Sequence, residues 1–159
     1  MIKLLVVLGE GGHSKEMLTL VDLLGDGYEY AYLLTREDPL SASKIQRPGR
    51  IYRVIRPRSK DDPTWLAVGK LAFCLVQSLV VLCLAWPDAV VSSGPAVAIP
   101  ISFWAKLCRR SVIFVETGSR VQHLSLTGRL MRRLADLFFV QWPALRGEHP
   151  GAIYAGRLF

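Results

Sequence analysis

The sequence predicts an α/β domain built on a parallel sheet. Two observations carry the prediction. Short β-rich apolar runs alternate with stretches of crossover length, the pattern of βαβ units. The first run, residues 2–8, is apolar but for Lys3, as in a strand covered on both faces.

The elements follow in order. Residues 2–8 form the first strand and 9–12 a glycine-rich turn. Residues 14–24 place Met17, Leu18, Leu20, Val21 and Leu24 on one helical stripe. Residues 28–34 and 51–55 are the second and third strands. The connection 35–50 is polar, lacks periodicity and reads as mobile. An apolar helix precedes two further strands at 88–92 and 112–115, with Ala98 and Ile99 opening a helix between them. Residues 127–135 are helical and 137–141 form the last strand. No internal repeat is visible. In such sheets ligands bind beyond the carboxyl ends of the strands. Function therefore belongs on the loops that begin at Gly9, Thr35, Ser93 and Glu116.

A chain of 159 residues suits a single domain, and 51% hydrophobic against 21% charged excludes a disordered one. Twenty Lys and Arg against 13 Asp and Glu leave a net charge of +7. That favours an anionic partner, a phosphate group or an acidic membrane surface. Nucleic acid is disfavoured, because no nucleic-acid motif occurs and aromatics are not interleaved with the basic residues. Cys74, Cys83 and Cys108 lack a C-x-x-C spacing and read as reduced, small hydrophobes of a cytoplasmic protein. The apolar N-terminus is too short for a signal peptide. His13, His123 and His149 lack paired spacing and the carboxylates are not clustered, so no metal site and no cofactor are expected.

The apolar helix is the unusual element. Residues 71–86 are apolar apart from Gln77 and Ser78, and the helix extends over about residues 64–86. The run of about 16 residues spans about 24 Å, against about 20 residues for a membrane span. A buried core helix and an in-plane membrane helix both fit. The second is preferred, with Leu75, Leu79, Leu82 and Trp86 facing lipid. Arg47, Arg50, Arg53, Arg56, Arg58 and Lys60 precede it and could meet lipid phosphates.

Three motifs carry chemistry. In the first, Gly9, Gly11 and Gly12 bring the backbone off the strand, and Ser14 is placed to cap the next helix. A helix N-terminus reached through such a turn binds anions, here with Gly11, Gly12, Ser14 and Lys15. His13 stands at its lip as a general base or as a merely structural hydrogen-bonding group. A dinucleotide loop fits poorly: Ser14 replaces its third glycine, and Thr35-Arg36 stands where its acidic residue belongs. In the second motif, Ser93, Gly94 and Pro95 open a helix, as an anion-binding turn or for close packing. In the third, Glu116, Thr117, Gly118, Ser119 and Arg120 follow a strand. Glu116 could serve as base and Arg120 could bind phosphate, or the two could form an internal ion pair. Ser125 or Thr127 caps the helix that follows, whose Arg129, Arg132 and Arg133 give it a basic face.

Taken together these motifs resemble one family. They are Gly9-x-Gly11-Gly12-His13-Ser14-x-Glu16-Met17, Ser93-Gly94-Pro95, Glu116-Thr117-Gly118-Ser119-Arg120-Val121, Leu124-Ser125-Leu126-Thr127-Gly128, Ala135-Asp136, Val140-Gln141-Trp142-Pro143 and Tyr154-Ala155-Gly156-Arg157-Leu158. The family is the membrane subunit of the split UDP-GlcNAc transferase of dolichol-linked oligosaccharide synthesis, with its bacterial PssD/EpsE-type relatives. The N-terminal half of MurG is similar at greater distance. The resemblance implies a Rossmann-like parallel sheet, the acceptor half of a GT-B glycosyltransferase, as a single domain over 1–159. It implies an inverting transfer from a UDP-sugar to a polyprenyl-diphosphate-linked saccharide, with a donor-binding partner chain recruited to the cytoplasmic face of the membrane. His13, or Glu116, would be the base. The eukaryotic subunits begin with a membrane anchor and this sequence begins with a strand, so a prokaryotic source is expected. Two other functions remain open: a non-catalytic membrane scaffold that activates the partner, and a nucleotide-dependent oxidoreductase.

Overall fold

A computed structural model describes residues 1–57 and 63–158 of the chain. Arg58 and Lys60 of the expected basic cluster lie outside the described residues. The strands are β1 (Ile2–Val7), β2 (Tyr28–Thr35), β3 (Gly49–Val54), β4 (Ala89–Ser92), β5 (Ser111–Val115), β6 (Leu137–Val140) and β7 (Ile153–Tyr154). The helices are α1 (Gly12–Leu24), α2 (Thr64–Ala85), α3 (Ala98–Leu107), α4 (Leu126–Leu134) and α5 (Pro143–Glu148). All strand pairs are parallel, in the order β3-β2-β1-β4-β5-β6-β7. The order reverses between β1 and β4, and the crevice at that switch point is where a parallel sheet receives ligands.

Period-two alternation divides the strand residues between two cores. Leu5, Val7, Leu33, Val90 and Phe114 pack under α2, α3, α4 and α5, against Cys74, Ile101, Met131 and Leu145. Leu4, Val6, Tyr30, Tyr32 and Leu34 pack under α1, against Met17 and Val21.

Three expectations are corrected here. The 35–50 connection is anchored rather than irregular throughout. Asp38 Oδ1 accepts from the Leu40 and Ser41 amides, a short 3-10 turn covers Ala42–Lys44, and Tyr32 donates its hydroxyl to Arg47 O at 3.0 Å. Local Asx and side-chain bonds leave no periodic signature, so a pattern search overlooks them. The strand at 137–140 is not the last, because β7 adds one two-residue pairing beyond it, and the short helix α5 joins them. The third correction concerns α2.

Helix α2 buries one side only, through Cys74, Ser78, Val81, Leu82 and Ala85. Gln77 Oε1 accepts from the Ile55 amide at 2.8 Å, and Trp104 Nε1 donates to Leu75 O at 2.9 Å. The two polar or partly buried positions thus tie α2 to the end of β3 and to α3. Its outward stripe is Trp65, Phe73, Val76, Val80 and Leu84, spaced by one or two helical turns and all more than half exposed. Of the expected lipid-facing residues, Trp86 is exposed, Leu75 and Leu79 are half-buried, and Leu82 lies in the core. A helix apolar all round carries no phase in its sequence. Docking on the sheet decides which side faces out. The helix is long and apolar enough to cross a membrane by composition, with 22% of its most apolar window buried against the domain.

Candidate active site

The site forms where the loops after β1, β4, β5 and β6 converge. An apolar recess of about 430 Å³ lies elsewhere, between α1 and the outer half of the sheet. Its lining is mostly aliphatic and aromatic, with Gln141 and Arg157 among it. At the carboxyl ends two smaller clefts meet at His13. One, of about 190 Å³, is lined by Gly9, Thr35, Arg56 and Pro95. The other, of about 380 Å³, is lined by Gly12, Glu16, Thr117, Gly118 and Ser119. Glu10 and His13 border both.

His13 stands in the first turn of α1, where backbone N–H groups lack intrahelical acceptors. Its side chain is 33% exposed. Burial pushes the imidazole below its ordinary value of 6.5. The Glu16 carboxylate opposes that shift and Arg120 adds to it. The ring is therefore neutral near neutral pH, with a free nitrogen able to take a proton. Nδ1 is buried without a hydrogen-bond partner, 4.0 Å from Glu16 Oε2. The Ser93-Gly94-Pro95 turn is the bed on which the ring rests. A Cβ built on Gly94 would lie 2.5 Å from His13 Cε1 and 2.9 Å from Nδ1, and Gly94 has φ +75°. Gly9 is equally close, for a Cβ there would lie 2.8 Å from Pro95 Cβ and 3.0 Å from His13 Cβ.

Glu16 is the residue that sequence reasoning passed over. It is 1% exposed and accepts from Ser93 Oγ at 2.5 Å, Thr117 Oγ1 at 3.0 Å, the Gly118 amide at 2.6 Å and Gln141 Nε2 at 3.2 Å. One carboxylate thus ties α1 to the loops after β4, β5 and β6. The signal was present in the sequence: a carboxylate one position before Met17 falls on the buried side of α1. Buried acids occur where donors surround them, and the donors lie as far as 125 residues away in the chain.

The other expected residues separate into two sets. Ser14 is buried. Its hydroxyl donates to Gly9 O and pairs with Ser41 Oγ at 2.6 Å, so it closes the turn and makes no side-chain cap. Ser93 faces Glu16 and not the solvent. Glu116 is fully buried. Its Oε2 accepts from the Ser125 amide at 3.0 Å and Ser125 Oγ at 3.1 Å, and its Oε1 from the Thr117 amide at 3.0 Å. Burial pushes its carboxyl up, against these donors and Arg120. Glu116 is thus enclosed by its own loop and the cap of α4, and the alternative ion pair with Arg120 does not form among the described residues. Ser125 rather than Thr127 caps α4, accepting from the Gly128 amide at 2.9 Å. Gly11, Gly12, Lys15, Ser119 and Arg120 are exposed around the clefts. Arg56 pairs with Glu10 at the lip, and Arg47 with Asp26 away from it. Trp142 Nε1 donates to Gly118 O at 2.7 Å, which gives the Gln141-Trp142 motif its place behind the β5 loop. His123 is exposed and His149 hydrogen-bonds Arg132, both remote from the clefts.

Comparison with known proteins places this arrangement in context. Residues 4–158 match the family described as "Oligosaccharide biosynthesis protein Alg14 like". The mouse protein named UDP-N-acetylglucosamine transferase subunit ALG14 is 32% identical over 99% of this chain and 83% of its own length. The Schizosaccharomyces pombe protein of the same name is 33% identical over 96% of this chain and 81% of its own. Among solved structures, Acinetobacter baumannii MurG superposes with a TM-score of 0.79 at 17% identity. The chain spans 97% of itself and 45% of MurG, about half of that enzyme. Methanocaldococcus jannaschii UDP-GlcNAc 2-epimerase follows at 0.72 and 17%, again over about half its length. At these identities the structural likeness extends to the fold, the Rossmann-like half expected from the sequence. The expected prokaryotic source gains no support from the two named ALG14 relatives, which are eukaryotic.

Proposed function

The chain belongs to the Alg14-like oligosaccharide biosynthesis family, and from that premise we propose that it is the acceptor-binding subunit of a two-chain inverting glycosyltransferase. The donor is UDP-GlcNAc, in keeping with the names of its relatives. The acceptor is a polyprenyl-diphosphate-linked saccharide, and a separate donor-binding chain closes over the loops at the carboxyl ends of the strands.

The observation that carries this reading is His13, a neutral imidazole at the junction of two clefts on a helix N-terminus. The acceptor diphosphate lies against the amides of Gly12 and His13, helped by Lys15 and Arg120. Its sugar hydroxyl points across His13. A slight closure brings Nδ1–H onto Glu16 Oε2, which fixes the tautomer and leaves Nε2 to accept the proton. The hydroxyl oxygen attacks the anomeric carbon from the face opposite the leaving UDP, so the configuration inverts. UDP departs toward the partner chain. Holding both substrates in one cleft supplies the orientation term. The outward apolar stripe of α2 lies on the cytoplasmic face of the membrane, with Arg50 and neighbouring basic residues near lipid phosphates.

Transfer from radiolabelled UDP-GlcNAc to a polyprenyl-diphosphate-GlcNAc acceptor is measured with this chain, with its partner, and with both. Activity only with both supports the half-enzyme. Full turnover by His13→Ala in the saturated complex sinks the base and leaves the chain a scaffold that activates its partner.

A further inference from the structure

Beside the site lies a third depression, of about 470 Å³, between the first turns of α2 and α4. Ala67, Val68 and Leu71 form one wall, Leu126 and Leu130 the other, and Ile99 the floor. No charged residue lines it among those described, and its polar groups are the hydroxyls of Thr64 and Thr127. Its volume is in the range of small-molecule sites. The groove is continuous with the site, since Pro57 and Ala96 form a wall common to it and to the cleft of Gly9, His13 and Arg56. At its outer end Val68, 62% exposed, leads onto the outward stripe of α2 that begins at Trp65.

The surface therefore runs in a fixed order: an anion-binding helix terminus, the Arg56–Glu10 ion pair at the lip, an apolar trough, then an exposed apolar helix face. We propose that the groove between α2 and α4 receives the first isoprene units of the acceptor's lipid, while the diphosphate occupies the α1 terminus. The inference rests on the acceptor class given above. Continuity with the site selects this occupant, because a polyprenyl diphosphate joins an anionic head directly to an apolar chain in the same order. The groove then measures the lipid as well as holding it. An acceptor with the head group alone forfeits the contacts of Val68, Leu71 and Leu130. The chain that leaves the trough emerges beside Trp65, where the helix face delivers it to the bilayer.

The test uses the complex of this chain with its partner, in detergent, so that membrane attachment plays no part. Two acceptors carry the same diphosphate-linked GlcNAc, one on a long isoprenoid and one on a short alkyl group. Leu71→Gln and Leu130→Gln make the trough polar at half-exposed positions, Ala67→Trp fills it, and Leu107→Gln on α3 is the control outside it. The expected result is a rise in KM for the long acceptor of about tenfold in all three groove variants. KM for the short acceptor stays within about twofold, and the control changes neither. Equal effects on both acceptors, or none, overturn the groove. Weakened binding of the partner chain in these variants also overturns it, and assigns the groove to a protein contact. No transfer by the unaltered complex to either acceptor refutes the acceptor class itself, and the groove with it.

Discussion

The imidazole of His13 rests on the α-carbon of Gly94, so closely that a Cβ there would lie 2.5 Å from His13 Cε1. The loop after β4 thereby fixes the orientation of a side chain on α1. Gly94→Ala meets two obstacles, the ring and a backbone at φ +75°, where an alanine costs about 1–2 kcal/mol. Its expected effect is a fall in turnover of at least about tenfold, since ring displacement of about an ångström suffices to misalign a base. Assays of the complex, paired with thermal unfolding to separate misalignment from instability, check this.

With His13 in the proposed role of general base, its titration sets the acid limb of the reaction. Burial lowers its value below 6.5, so kcat/KM should rise with pH along a limb whose midpoint lies under 6.5. Stability follows the same group. Below 6.5 the unfolded chain takes up the proton that the folded chain resists, so stability falls with pH from 6.5 down to the folded value. Above 6.5 the contribution is level. Urea midpoints at pH 7.5 and 5.5 should differ less in His13→Gln than in the native chain. An unchanged difference would remove His13 from the account.

Glu16 holds the site together without touching the reacting atoms. Glu16→Ala strands the Ser93 hydroxyl and the Gly118 amide, and takes one partner from the Thr117 hydroxyl and the Gln141 side chain, which keep Ser119 Oγ and Glu116 O. Each unsatisfied buried donor costs about 1–3 kcal/mol, and partial rearrangement brings the expected loss to about 3–5 kcal/mol. With its amide oxygen in the place of Oε1, Glu16→Gln keeps three of the four acceptor contacts, loses that to Ser93, and should fall between. Chemical denaturation gives the stability, and the acid limb of the pH profile should move in Glu16→Gln because His13 loses its charged neighbour.

Gly128 lies close against the Glu116 carboxylate. A Cβ on Gly128 would overlap Glu116 Oε2. That carboxylate is fixed by Ser125 and Thr117, so Gly128→Ala should destabilise by about 2–4 kcal/mol and loosen the β5 loop. Limited proteolysis near residues 119–125 would report it. Because the Glu116 carboxyl is raised, its contribution is fully present below 4.5 and is lost as pH rises through the folded value.

Membrane contact has a direct test in the outward stripe of α2. Val76→Glu and Val80→Glu change exposed positions only. Melting temperature should shift by less than about 2 °C. Partitioning onto anionic liposomes, read by sedimentation, should fall by about 2–3 kcal/mol per buried charge, or about 30- to 160-fold. Equal sedimentation of the variant and native chains would place the membrane contact elsewhere.

The parallel sheet was legible in the sequence, because buried strands and crossover helices leave their periods in the local pattern. The sequence also showed which loops follow the carboxyl ends of the strands, because strand ends follow from strands. Glycines at 9, 11 and 94 and His13 were legible for the same local reason. The tertiary structure decided what each polar residue does. Glu116 and Glu16 are both carboxylates beside glycine-rich loops. Ser125 and Thr117 enclose the first, and donors from three distant loops make the second the tie between them. The phase of α2 was decided in the same way. An all-apolar helix carries no preferred side in its sequence, and packing of Leu82 and Cys74 on the sheet turned Phe73, Val76 and Val80 outward. Roles fixed by contacts between residues far apart in the chain arise only when the fold brings them together.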